Sequence, residues 1–146
     1  MRDRCVDLLA PAILASNNPV IVDGTLGLGG HTEALLQRFE NLTVIGIDRD
    51  EIALERATKR LAPFADRLKT AHCVFDQIES VVEGFGYSSI NGALFDLGVS
   101  SIQLDESERG FSYSQDAPLD MHMDRSRGIT ASEILNTYEP GKLVQI

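Results

Sequence analysis

The sequence predicts an α/β fold on a parallel sheet, and three observations carry that expectation. Four apolar, β-branched runs recur along the 146 residues, at 19–23, 42–48, 68–75 and 90–96. Helical patterns separate them. Three of the runs close on aspartate, at Asp23, Asp48 and Asp96. Strands alternating with helices imply right-handed β-α-β crossovers, and these set the strands parallel.

Element by element, the opening stretch MRDRCVDLLAPAIL reads as a helix. It carries two aspartates and no long apolar segment, unlike a secretory signal. Residues 19–23 (PVIVD) form the first strand and 42–48 (LTVIGID) the second. Residues 32–39 (TEALLQRF) and 51–61 (EIALERATKRL) space their apolar side chains three and four apart, so each helix has one face to bury. Asp50 stands at the N-cap of the second of these. Residues 68–75 (LKTAHCVF) make the third strand, and 76–85 a weaker helix closed by Gly84 and Gly86. Residues 90–96 (INGALFD) make the fourth strand. Beyond Val99 the periodicity stops, and 100–128 reads as one long loop, a length that marks a functional or unstructured segment. Thr130 then caps a helix over 131–138, with Glu133 completing a capping box.

Composition narrows the class. With 43% hydrophobic and 24% charged residues the chain can bury a core. No apolar run approaches the about 20 residues of a membrane helix. Cys5 and Cys73 match no metal-ligand spacing, so no metal is expected, and they fit small buried thiols in a reducing cytoplasm. A net charge of −9 argues against a broad nucleic-acid-binding face, which needs clustered Lys and Arg, and leaves room only for a local basic patch.

The chemistry concentrates around VDGTLGLGGH, residues 22–31, where four of ten positions are glycine. In an open α/β sheet, ligands bind at the carboxyl ends of the strands. Glycines after the first strand let backbone N–H groups and the next helix approach a ligand closely. Asp48, at the end of the second strand, can accept from both ribose hydroxyls of an adenosine. Three cofactors compete for such a loop. A P-loop needs a lysine after the glycines, and none follows. A dinucleotide loop counted from Gly27 meets Thr32 at its third glycine position. A methyltransferase loop, an acid at the strand end and then a glycine-rich turn, fits Asp23, Gly27, Gly29 and Gly30 better, although Thr25 takes the first usual glycine position. Carboxylates there favour a ligand with an ammonium and a sulfonium over a pyrophosphate. A plain glycine turn, with Asp23 capping the following helix, is the bland alternative. His31 reads equally as a solvent-facing residue of a first helical turn, and Phe75 as core or as a cover for an adenine.

Read in order, DGTLGLGGH, IDRD, FDLGVSSIQLDESERGFSYSQDAPLDMHMD and ASEILNTY resemble the bacterial cytosine-N4 methyltransferases of 16S ribosomal RNA. The resemblance spans nearly the whole chain, and the DLGVSS to PLDM segment is its most specific part. It implies a Rossmann-like class I methyltransferase fold of about four strands, incomplete because family members are longer. Residues 1–146 would then be the N-terminal part of that domain. Residues about 100–130 would be a long substrate-side loop, and about 130–146 the start of an inserted helical domain. It further implies S-adenosylmethionine as cofactor, and as substrate a cytosine amine in the decoding centre (P-site) of 16S ribosomal RNA in the small ribosomal subunit. Gly29, Gly30 and His31 match the family's cofactor loop, Asp48 its ribose-binding acid and Phe75 its adenine neighbour. Asp96 and Gln103 match residues that line the cofactor site after the fourth strand. Ile102, Tyr113, Ala117 and His122 depart from the family's usual proline, phenylalanine, glycine and arginine. Phe111, Tyr113 and Met121 read equally as stacking surface for an unstacked base and as residues that pack the loop against the core. A nicotinamide-dependent oxidoreductase and a non-catalytic remnant of the fold are the competing expectations.

Overall fold

The computed structural model describes every residue except Arg127, and the side chain of Ile102 lies outside the described residues. The four residues of β1 (Val20–Asp23) are all buried, as an apolar run at the centre of a parallel sheet must be. On one side β1 pairs in parallel with β2 (Thr43–Asp48), Val22 opposite Ile45. On the other it pairs with β4 (Gly92–Leu94), Val22 opposite Ala93. The third strand, β3 (Leu68–His72), lies outside β2, so the order is β3-β2-β1-β4 with every pair parallel.

Alternation along the strands supplies two apolar faces. Ile21 and Val44 join α1 (Arg2–Leu14), α2 (Gly30–Arg38) and α3 (Glu51–Arg60) through Val6, Ile13, Leu35, Leu36 and Ala57. Val20, Val22, Ile45 and Ile47 pack with Cys73 and with Val82 of α4 (Ile78–Gly84). Helices therefore cover both faces of the sheet. Asp50 caps α3 as expected, its Oδ1 accepting from the Ile52 N–H at 3.1 Å and the Ala53 N–H at 3.3 Å.

Three boundaries differ from expectation. Helix α2 begins at Gly30, so Gly30 and His31 belong to its first turn. Strand β3 stops at His72, and Phe75 opens a separate 3-10 turn, Phe75–Gln77, ahead of α4. Strand β4 is three residues long, and side chains join the backbone bonds that hold its flanks. At its start the Val20 N–H donates to Asn91 Oδ1 at 2.9 Å, and at its end the Asp96 N–H donates to Thr25 Oγ1 at 2.7 Å.

The chain divides into two compact units, Met1–Leu97 and Gly98–Ile146. In the second, the segment expected as one long loop contains α5 (Ser101–Asp105) and a 3-10 turn, Ser107–Arg109. It is organised around Arg109, only 1% exposed, whose Nη2 donates to the carbonyls of His122 and Met123, both at 3.1 Å. Gly110 follows at φ +71°, and a Cβ there would lie 2.4 Å from the Pro118 carbonyl oxygen. Only glycine fits both demands. The Leu119 and Asp120 carbonyls then accept from Ser132 and Ala131 N–H, both at 2.9 Å, and so fix the start of α6 (Ala131–Thr137). The capping box of Thr130 and Glu133 is formed. A short helix, α7 (Pro140–Leu143), follows. Among the described residues, no helix is long and apolar enough to cross a membrane.

Candidate functional site

The chain runs from β1 outward through β2 to β3, then returns to the other side of β1 to form β4. The carboxyl ends of β1 and β4 thus frame the switch point, where an open α/β sheet leaves a crevice. The loop 24–29 rises there from β1 into α2. Leu26, 3% exposed, anchors it in the core, and the Leu26 N–H donates to the Ile47 carbonyl at 2.9 Å. Gly29 closes the loop as N-cap of α2 at φ +76°, and a Cβ there would lie 2.7 Å from Leu61 Cδ1. Gly29 is therefore required by the protein's own packing. Gly30 is not: its φ is ordinary, and a Cβ there would meet nothing within 4 Å. That open space at the amino end of α2 is where another molecule can approach the backbone.

Asp48 ends β2 beside this loop. Its Oδ2 accepts from the Gly27 N–H at 2.6 Å and its Oδ1 from the Asp50 N–H at 2.8 Å. Each oxygen thus has one backbone partner and keeps acceptor capacity for another. Asp48 is oriented before any ligand arrives. Asp23, by contrast, faces inward. It is 1% exposed, with Oδ2 accepting from the Thr32 hydroxyl at 2.7 Å and Oδ1 from the Thr25 N–H at 3.3 Å. Burial raises its pKa above the ordinary 3.8, opposed by the Thr32 and Thr25 hydrogen bonds and by nearby His31, and reinforced by the charge of Asp48. Asp23 is a scaffold for the loop, not a displayed carboxylate.

His31 lies between the two sides of the crevice. Its Nε2 is 4.0 Å from Asp96 Oδ2, and its buried Nδ1 has no partner among the described residues. Buried polar nitrogens are normally satisfied, so this one marks a place for a polar group. Beyond β4 the Phe95 ring meets that of Phe75 edge-on, centroids 5.6 Å apart. Both rings stay partly exposed, Phe75 at 45% and Phe95 at 42%. The structure therefore brings Gly29, Gly30, His31 and Asp48 together on one loop system, with Asp96 beside His31 and Phe75 beside Phe95. Gln103 belongs to the second unit. There its Oε1 accepts from the Ser100 N–H at 3.0 Å, and its own N–H donates to Ser100 Oγ at 3.3 Å, a reciprocal cap at the start of α5. In the same unit Tyr113 is fully exposed, Met121 stands at φ 60° with its side chain exposed, and His122 Nδ1 lies 2.9 Å from Asp120 Oδ1.

Sequence reasoning passed over Leu26 and Phe95, and met Thr32 only as a departure from a dinucleotide loop. A hydroxyl in the first helical turn after a strand-end acid was the available signal for Thr32. Nothing local marked the other two.

Compared with known proteins, the chain matches the MraW methylase family over residues 1–146. It belongs to that family. Among curated relatives, the ribosomal RNA small subunit methyltransferase H of Renibacterium salmoninarum is 58% identical over 150 residues, covering 100% of this chain and 45% of its own length. The protein of the same name from Streptomyces avermitilis is 54% identical over 146 residues, covering 100% of this chain and 46% of its own. The chain thus spans about half the length of the curated relatives it matches. Among solved structures, a putative rRNA-methylase from Clostridium thermocellum superposes with a TM-score of 0.52 at 21% identity, over 64% of this chain and 50% of that one. At that identity the likeness is one of fold. The four-stranded parallel sheet of this MraW-family chain is of the Rossmann-like methyltransferase type.

Proposed function

We propose that this MraW-family chain binds S-adenosylmethionine at the carboxyl edge of β1, β2 and β4, and serves methylation of 16S ribosomal RNA at the N4 amine of a cytosine in the decoding centre. The observation that carries the reading is Asp48. It is an acid pinned by two backbone amides, with acceptor capacity to spare for a ribose diol, one loop away from the open amino end of α2. The names of the curated relatives support the ribosomal substrate. The cofactor would supply an electrophilic methyl group on a sulfonium.

In this reading Asp48 accepts from both ribose hydroxyls. The Gly30 backbone amide and the unpartnered His31 Nδ1 meet the polar amino-acid end, while Gly29, whose own N–H donates to the Leu26 carbonyl at 2.7 Å, shapes the loop. Phe75 covers the adenine, and Asp96 lines the same site. The residues present fit the ligand's chemistry: Asp48 offers acceptors to a ribose diol, and the exposed Asp96 carboxylate suits the positive charge of a sulfonium. An exocyclic amine is a poor nucleophile because its lone pair is delocalised into the ring. The Asp96 carboxylate and the Leu97 carbonyl, holding its N–H groups, would turn that lone pair outward and stabilise the positive charge that develops as the N–C bond forms and the methyl–sulfur bond breaks. Asp96 would take the proton the nitrogen then gives up. The chain's cations are partly engaged by its own carboxylates: Arg38 by Asp7, Lys59 by Glu55 and Arg60 by Glu33. RNA affinity contributed by these residues should accordingly depend weakly on salt.

Calorimetry tests the cofactor assignment. S-adenosylmethionine should release heat with the unaltered protein, and Asp48→Ala should weaken binding by about 30-fold or more, the loss of two charge-assisted hydrogen bonds. Equal heats from the two would overturn the reading, as would saturable NADH binding by fluorescence. For the substrate, labelled methyl transfer to small subunits lacking the modification should yield N4-methylcytidine on digestion.

A further inference from the structure

At the carboxyl end of the sheet the β1–β4 ladder does not stop where the strands do. The Gly24 N–H donates to the Leu94 carbonyl at 2.9 Å, as a parallel ladder requires. The next amide on the β4 side, at Asp96, would ordinarily find a backbone carbonyl, but here the β1 chain has already turned away into its loop. The Thr25 hydroxyl takes that place and accepts the Asp96 N–H at 2.7 Å. Thr25 is itself tied down from behind, since its N–H donates to the buried Asp23 Oδ1 at 3.3 Å. Between these two bonds the Phe95 ring lies over Gly24, so close that a Cβ at Gly24 would be 2.4 Å from Phe95 Cε1. Residues 23–25 and 94–96 are thus stitched rung by rung, and the last rung is a side chain. A glycine at position 25, the residue more usual in loops of this kind, would have no oxygen to offer.

We infer that Thr25 is a positioning residue. By extending the β1–β4 ladder one rung through its hydroxyl, it sets the backbone of Asp96, and with it the Asp96 carboxylate, against the glycine loop. The inference rests on the proposed function, because what Thr25 positions is the carboxylate that reading sets against the methyl acceptor. The bond couples the two halves of the crevice: one end belongs to the loop after β1, the other to the segment that faces the methyl acceptor. The Asp96 side chain is 67% exposed and its placement depends on this main-chain hold. Losing the bond should loosen Asp96 while leaving the Asp48 contacts that carry cofactor affinity in place.

Thr25→Val and Thr25→Ser are compared with the unaltered protein. Valine keeps the shape and removes the acceptor; serine keeps the acceptor. Hydrogen exchange at the Asp96 amide should accelerate by about tenfold in Thr25→Val and stay at the unaltered rate in Thr25→Ser, as expected for one lost hydrogen bond. For methyl transfer, kcat should fall by about tenfold in Thr25→Val, with the S-adenosylmethionine Kd within about twofold, and recover in Thr25→Ser. Matching thermal melts of the two variants exclude a folding defect. Unchanged Asp96 exchange in Thr25→Val overturns the inference. So does unchanged kcat in a Thr25→Val protein whose parent binds cofactor and turns over, and in that case the proposed function stands. A parent that binds no cofactor overturns the proposed function instead, whatever the exchange rates show.

Discussion

The two units are held together by different means. In Met1–Leu97 the buried residues are overwhelmingly aliphatic, and two apolar clusters sandwich the sheet. In Gly98–Ile146 the buried residues among those described are Gln103, Arg109 and Asp124, and none of the described hydrophobic side chains reaches the same burial. There, backbone carbonyls are gathered by a guanidinium and by turns. The first unit draws its stability from area removed from water, which tolerates local rearrangement. The second depends on individual polar partnerships, each of which costs free energy when half of it is removed.

Cutting into the apolar cluster should produce the largest effect. Leu36, 1% exposed, contributes its whole side chain to the core of the first unit. Leu36→Ala should cost about 3 kcal/mol in urea unfolding followed by far-ultraviolet circular dichroism. Arg109→Ala should cost about 2 kcal/mol through the loss of its carbonyl contacts. Its effect should appear as faster hydrogen exchange and proteolysis within 98–146, with the exchange of β1 and β2 amides unchanged. Equal acceleration in both units would break the distinction. Thr130→Ala removes the N-cap acceptor of α6 and should cost about 1 kcal/mol, confined to that helix and read by its amide exchange.

The smallest effect is one of pH, and its sign differs between the units. Asp23 has a raised pKa, so its neutral form is favoured on folding. The stability it contributes is complete below the ordinary carboxylate value and is lost as pH rises toward its folded value. Asp23→Asn should therefore flatten the decline of first-unit stability above about pH 4 while keeping an acceptor for Thr32. For Asp120, burial pushes upward, but the backbone and side-chain hydrogen bonds of His122 and the charges of His122 and Arg125 together pull the pKa below 3.8. Glu133 is lowered by its backbone and side-chain hydrogen bonds to Thr130. Their contributions are present at neutral pH and are lost as pH falls through those lowered values. Segment-resolved exchange between pH 7 and pH 3 should show the second unit loosening at the acid end, where the Asp23 contribution is largest.

Much of the first unit was legible because its determinants are local and periodic. The alternation in VIVD and TVIGID, the three- and four-residue spacing of EIALERATKR, and the cap at Asp50 each reflect a few neighbouring residues. Thr130 and Glu133 were legible for the same reason. Within the site, Asp48 could be singled out because a strand-end acid beside a glycine loop is a pattern in sequence as well as in space. The distinction between Gly29 and Gly30 was not legible. It depends on Leu61, far along the chain, which packs against one and not the other.

The amino-acid sequence alone determined the α/β class, the parallel crossovers, the helix caps and the clustering of acids at strand ends, because hydrophobic period and capping chemistry act over a few residues. Tertiary structure alone decided that Asp23 turns inward to Thr32 while Asp48 turns to the loop, that Thr25 reaches Asp96, that Phe75 meets Phe95, and that Arg109 is buried among carbonyls. These depend on which distant segments the sheet order brings side by side. A residue's own neighbours carry no information about a partner that arrives only when the chain closes.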